Sequence, residues 1–286
     1  MSPALPLHVT DIPWSGGKGD ERTPTFLLLH GFGGSSFTWH MWAPALSRRG
    51  RVVLVDMKGF GKAPKPDDGR YAPADLAQNI TELILQLDLD RLTLVGHSLG
   101  GGVALFTALA LLDLGEERLE RLVLIGAAAY RQRLPPFVGL SQRPRFSAFM
   151  IRLMGPSRLI RFVLRSIVHD RERISQDQIE AYAAPLRTAE GIRALLEVGH
   201  QILPEDIDEI STRYPELEVP VLLLWGRQDP VIPLSIAHRL HEEMPDTRLE
   251  ILESCGHIPP EELPERSFAV LASFLDDTDR ADPESA

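Results

Sequence analysis

The sequence predicts an α/β fold, a mostly parallel central sheet with helices on both faces and a helical segment inserted between two strands. Three observations carry that expectation. Short apolar runs recur along the 286 residues with helix-patterned stretches between them, the alternation that builds a parallel sheet covered on both sides. The alternation is interrupted once, between Gly126 and Val219, by a stretch whose apolar positions recur at helical spacing. A strand pattern also runs straight into a glycine-rich turn in LVGHSLGGG, residues 94 to 102, which then continues as a helix pattern.

The strand candidates are TFLLL (25–29), RVVLV (51–55), RLTLVG (91–96), RLVLIG (121–126), VPVLLLWG (219–226) and RLEILE (248–253). The segment before them, LPLHVTDIPW, is patterned weakly enough to supply one or two antiparallel edge strands. Helices are expected at about 36–48, 73–88, 98–114, 234–244 and 262–276. The core therefore takes in residues 1–130 and 218–276, the helical insertion spans 131–217, and 277–286 reads as a frayed acidic tail.

Composition narrows the function. Hydrophobic residues make up 44% of the chain and charged residues 24%, with a mean hydropathy of −0.06, as in an ordinary globular protein. A formal charge of −10 argues against nucleic-acid binding, which requires a basic face for the phosphates. Cys255 is the single cysteine, so no intrachain disulfide is possible. The start lacks a signal-peptide pattern and no run of 18 apolar residues occurs, so a cytoplasmic protein without a stable membrane anchor is expected. Residues 131–173 depart from the average: they hold ten arginines against Asp170 and Glu172, a net +8. A solvated outer face, its arginine stems packed over apolar surface, accounts for them; so does a basic rim attracting anionic or interfacial substrates.

Ser98 follows a strand candidate and opens a helix candidate, where Gly96 and Gly100–Gly102 let the helix pack against the strand it has just left. That setting places the hydroxyl at the C-terminal edge of the sheet, beside helix N–H groups that favour a developing anion. A serine needs a base, usually a histidine oriented by a carboxylate. His257, in a loop between a strand and the last helix, is the best placed of nine histidines. His238 and His241 read as surface residues of a helix, His169 and His200 lie in the insertion, His8 is near the start, and His97 should point away from the nucleophile. Asp229, in GRQDP just past a strand end, reaches the same sheet edge. Asp56 occupies that edge too and reads as structuring a loop. The backbone N–H groups of Leu99 and of Phe32, in the HGFGG loop, are candidate oxyanion donors. No metal site is expected.

With those residues in place, the chain resembles the α/β-hydrolase superfamily, in its serine-nucleophile, esterase- or lipase-like branch with a helical cap. The motifs are HGFGG (30–34), DMKGFGKA (56–63), GHSLGG (96–101), GRQDP (226–230) and CGHIPPEELPE (255–265), in the family's order. Lys58 and Ala63 stand where the family more often has arginine and serine. The resemblance implies Ser98 as nucleophile, Asp229 as acid, His257 as base, Phe32 and Leu99 as oxyanion donors, and no cofactor. A serine nucleophile argues against the branches that form an ester on an aspartate.

The leading expectation is hydrolysis of small carboxylic esters with an apolar acyl part, through an acyl-enzyme. The same triad also serves a carbon–carbon hydrolase of ring-fission dienoic acids, with a cap arginine on the substrate carboxylate, though that branch more often has methionine where Leu99 stands. Cofactor-free perhydrolysis would use the same residues. A ligand-binding protein without turnover would not need the whole set.

Overall fold

The computed structural model describes residues 4–17 and 23–281. Its sheet has seven strands in the order β1-β3-β2-β4-β5-β6-β7. They are β1 (His8–Ile12), β2 (Thr25–Leu29), β3 (Arg51–Asp56), β4 (Leu92–His97), β5 (Leu119–Ile125), β6 (Val221–Gly226) and β7 (Thr247–Leu252). All six strand candidates form, and the weak N-terminal segment supplies a single edge strand, β1, antiparallel to β3. The other pairings are parallel.

Alternate residues of each strand point to opposite faces, and both faces are covered. Leu27, Leu29, Val53, Val55, Leu94 and Leu124 look towards one core. Phe26, Leu28, Val52, Val95, Val123 and Ile125 look towards another, closed by Trp39, Trp42 and Leu271. This two-sided burial is why the inner strands read as apolar runs, whereas the edge strands β1 and β7 are less buried and keep polar residues.

The chain before β5 also forms α1 (Ala43–Leu46), which packs into the second core, and α2 (Pro73–Gln86) and α3 (Leu99–Asp113), which pack into the first. The helix expected at 36–48 is instead a 3-10 turn, Ser36–Trp39, and the four-residue α1, because Pro44 can only enter a helix in its first turn. In α2, Pro73 stands in the first turn, the Asp75 carboxylate accepts the Ala72 N–H at 3.2 Å, and Leu76, Ile80, Leu83 and Ile84 make the buried stripe. α3 is buried nearly all round, so it shows no polar face.

Between β5 and β6 the described chain contains no strand. It forms α4 (Pro136–Gly139), α5 (Pro144–Met154), α6 (Pro156–Ile167), α7 (Gln176–Ala183), α8 (Ala189–Gln201), α9 (Ile207–Ile210) and short 3-10 turns. All ten arginines from Arg131 to Arg173 are exposed, as a solvated outer face requires. After β6 come α10 (Leu234–Glu243), α11 (Pro259–Glu262) and α12 (Pro264–Ala281).

The frayed tail expected from 277 is helical as far as Ala281, and only 282–286 lie outside the described residues. Its acids hold it to the sheet: Asp277 pairs with Arg248 at 3.0 Å, and Asp279 with Arg121, whose Nε also donates to Thr278. Among the described residues no helix is long and apolar enough to cross a membrane.

Candidate active site

β4 ends at His97 and α3 begins at Leu99, so Ser98 alone makes the turn. It sits at φ 55°, ψ −118°, a left-handed conformation that a side chain rarely adopts. The turn is tight enough to exclude larger neighbours. A Cβ on Gly96 would lie 2.3 Å from the Gly100 carbonyl oxygen, and one on Gly100 would lie 2.4 Å from that of Leu29. Backbone cannot yield as a side chain would, so both positions demand glycine. The Ser98 N–H donates to Ile125 O at 2.9 Å, and its carbonyl accepts from the N–H groups of Gly101, Gly102 and Ala128.

β6 and β7 end at the same edge and bring the two partners. The Ser98 hydroxyl lies 2.9 Å from His257 Nε2, and His257 Nδ1 lies 2.8 Å from Asp229 Oδ2. A carboxylate only accepts, so Nδ1 carries the imidazole proton and Nε2 is free to accept from the serine. The other Asp229 oxygen takes the N–H groups of Val231 (2.7 Å) and Ile232 (3.0 Å), which fixes its direction. Ser98 and His257 are 8% and 4% exposed, enough for a ligand to reach them and too little for water to compete with their bonds.

The loop after β2 supplies Phe32. Among the described residues the backbone N–H groups of Phe32 and Leu99 have no hydrogen-bond partner, and both residues line one cavity with Ser98 and His257. His30 shapes this loop: its Nδ1 donates to Gly31 O at 2.8 Å while Nε2 accepts the Met57 N–H at 3.1 Å. Burial lowers the His30 pKa, in keeping with a neutral ring that accepts at one nitrogen.

A serine at a strand-to-helix turn, its histidine and its carboxylate have thus come together from three strand ends. The model of the α/β hydrolase family matches residues 26–270. This chain belongs to the α/β hydrolase family. An uncharacterized protein of Mycobacterium tuberculosis is 30% identical over 276 residues, covering 92% of this chain and 78% of that relative. The 2-hydroxymuconate semialdehyde hydrolase of Pseudomonas putida is 30% identical over 258 residues, covering 88% and 87%. Among solved structures, an α/β hydrolase fold protein from Burkholderia ambifaria superposes with a TM-score of 0.79 at 24% identity, covering 94% and 93%.

Around the serine the hydrolase encloses a cavity of about 320 Å³. Its wall is largely apolar, including Phe106, Phe137, Met150, Leu159 and Leu195, and among the described residues it includes neither arginine nor lysine. Glu261 is the one carboxylate among the described residues that line it. Tyr182 O–H donates to one Glu261 oxygen at 2.5 Å and Gln178 Nε2 to the other at 2.7 Å. Burial pushes this carboxyl up to about 7, against the pull of those two donors.

Four positioning groups escaped the sequence reading. His97 does turn from the serine, and its Nε2 donates to the backbone carbonyl of His257 at 2.8 Å. Glu262, 1% exposed, accepts the N–H groups of Gly256 (3.0 Å), His169 (2.9 Å) and Asp170 (3.1 Å), tying the histidine loop to the insertion. Gln228 accepts the Cys255 N–H at 3.0 Å and so links the Asp229 loop to the His257 loop. His30 is the fourth. No sequence signal marks these contacts, most of which join residues far apart in the chain.

The remaining candidates fall where the sequence placed them. Asp56 accepts from the N–H groups of Ser36 (2.6 Å) and Lys62 (2.8 Å). Burial raises its carboxyl, but those donors overrule burial and hold it below the usual range. Lys58, buried, pairs with Asp68 at 2.7 Å and caps Arg70 O at 2.8 Å, so it braces the same loop from within. His169, His200, His238 and His241 are exposed, and no group of metal-binding side chains occurs among the described residues.

Proposed function

We propose that this hydrolase cleaves carboxylic esters with an apolar acyl part through an acyl-enzyme on Ser98. Ser98 attacks the ester carbonyl as His257 Nε2 takes its proton, and the Phe32 and Leu99 N–H groups receive the oxyanion. His257 then protonates the departing alcohol. A water deprotonated by the same nitrogen attacks the acyl-enzyme, the second oxyanion collapses, and Ser98 recovers its proton. Asp229 keeps the imidazole in the required tautomer and stabilises its charged form. The helical insertion serves as a cap that closes the acyl cavity over the sheet edge.

The observation that carries this reading is the Ser98–His257–Asp229 chain of hydrogen bonds at the base of an apolar cavity without a cationic group. The latter point also weighs against the carbon–carbon reading. One relative's name, 2-hydroxymuconate semialdehyde hydrolase, specifies an unsaturated acid. An acid of that kind needs a positive partner for its carboxylate, and the ten arginines expected to supply one are exposed on the outside.

Steady-state assays on p-nitrophenyl esters of graded chain length, run beside a ring-fission dienoate, test the assignment. Turnover of medium-chain esters, lost in Ser98→Ala, is the expected result. Faster turnover of the dienoate than of every ester would overturn it.

A further inference from the structure

Among the described residues, four of the five most exposed large apolar side chains lie on α5 and α6, which pack on each other: Phe146, Phe149, Leu153 and Phe162, at 55, 61, 66 and 66% exposure. On α5, Phe146, Phe149 and Leu153 recur at i, i+3 and i+7, one stripe of a helix. Burying α5's other side against α6 and α8 satisfies the fold and leaves this stripe without a partner.

Along α5 and α6 themselves the charge is of one sign, and the nearest acid of α7, Glu180, is taken by Arg187 and Ser157. Between residues 143 and 165 the chain has six arginines and no acidic residue, although its net charge is −10. All six are exposed. None makes an ion pair among the described residues, and Arg161 donates only to the Gln176 side-chain oxygen. Elsewhere many arginines are paired: Arg49, Arg51, Arg118, Arg213 and Arg248 each bind a carboxylate. A surface serving solubility alone would pair its charges and hide its phenylalanines.

The same two helices face the cavity from inside, through Met150, Ile151, Leu159 and Val163. Phe146 and Met154 both line the cavity and are exposed, at 55 and 38%, so the cavity reaches the surface at the stripe.

We propose that the outer face of α5 and α6 docks on the surface of an anionic lipid bilayer. Phe149, Leu153 and Phe162 enter the boundary between headgroups and acyl chains, and the guanidinium groups bind lipid phosphates. An apolar molecule leaving the bilayer then enters the cavity beside Phe146 without crossing water. A second copy of the chain is the poorer occupant, because a two-fold contact would set the arginines of α5 and α6 against their own copies. Docking does not depend on the ester reading, and Ser98→Ala protein docks as the wild type does.

Co-sedimentation of the full chain with vesicles tests the proposal. The protein is expected to bind vesicles of equimolar phosphatidylglycerol and phosphatidylcholine, to bind phosphatidylcholine alone far less, and to be released by high salt. Arg158→Ala with Arg165→Ala lowers partitioning roughly 25-fold, about five-fold per arginine. Phe149→Ser with Leu153→Ser lowers it at least tenfold on the order expected for two inserted side chains. These positions are exposed, and both double variants keep the wild-type melting temperature and turnover of a short soluble ester. Equal binding to both vesicle types, or wild-type binding by either double variant, overturns the proposal. So does a concentration-dependent dimer in sedimentation velocity that Phe149→Ser abolishes, which would give the face to a second copy.

Discussion

His97 holds His257 in place from behind: its Nε2 donates to the His257 backbone carbonyl at 2.8 Å, and the two rings stand 4.9 Å apart. Burial, with the neighbouring His257 second, pushes the His97 pKa down to about 3, so the ring stays neutral. His97→Leu leaves a buried carbonyl unpaired at a cost of about 1–3 kcal/mol. Urea melts should show that loss, and kinetics should show kcat reduced roughly tenfold with KM unchanged. His97→Gln, which restores an N–H donor, should recover most of both; equal defects in the two variants would exclude a positioning role.

The three residues of the relay should fail together. Ser98→Ala and His257→Ala are each expected to lower kcat/KM by on the order of 10⁴-fold or more, with little further loss when combined, because neither acts without the other. Asp229→Asn favours the wrong tautomer and should cost about 10⁴-fold. Circular dichroism checks that each variant is folded. A fluorophosphonate probe should label Ser98 in the wild type and leave Ser98→Ala unmarked.

Glu261 predicts a pH-dependent stability. Its carboxyl titrates near 7 in the folded chain and near the ordinary 4.5 once unfolded. Between those values the folded state keeps a proton that the unfolded state has released, so this contribution falls as pH rises from about 4.5 to 7, by on the order of 3 kcal/mol. His97 works in the opposite sense: its contribution is present above its unfolded value of 6.5 and is lost as pH falls towards 3. The two oppose each other in a wild-type profile. The difference between wild type and Glu261→Gln, measured by urea melts from pH 4.5 to 8, isolates the first, and a flat difference would contradict it.

Glu262 accepts three backbone N–H groups at once, two of them in the insertion and one beside His257. Glu262→Ala is expected to cost on the order of 4 kcal/mol, because several buried donors lose their acceptor together. Limited proteolysis should then cut faster near 168–170, and kcat should fall with the loosened histidine loop.

Gly100→Ala adds one methyl group at the elbow, aimed at the carbonyl oxygens of Leu29 and His30. The clash is with backbone, so β2 and α3 must separate to admit it. Thermal melts should show a large loss of stability, or no folded protein, whereas Gly115→Ala meets no atom within 4 Å and pays only for its positive φ of 69°.

Much of this molecule was legible in its sequence because the deciding forces are local. Two-sided burial writes strands as apolar runs such as TFLLL and VVLV, and a strand-to-helix turn writes itself as glycines around Ser98. Parallel strands further require their C-terminal ends to share an edge, so Asp229 and His257 could be placed near Ser98 without a single distance. Two expectations failed for different reasons: Pro44 is a local stop within the expected 36–48 helix, whereas the distant partners Arg121 and Arg248 hold the acidic chain, which stays helical to Ala281.

The sequence by itself determined the sheet and the turn at Ser98, since each is encoded by residues next to one another, and it nominated Ser98, His257 and Asp229 as candidates that the fold brings within hydrogen-bond distance. Only the tertiary structure decided which way the arginines face, that His97 and Glu262 brace the His257 loop, and that Glu261 is the one carboxylate in the cavity wall. Those outcomes depend on how the helices between β5 and β6 pack over the sheet edge. Helical periodicity fixes which side of each helix is buried, but not which neighbour it is buried against.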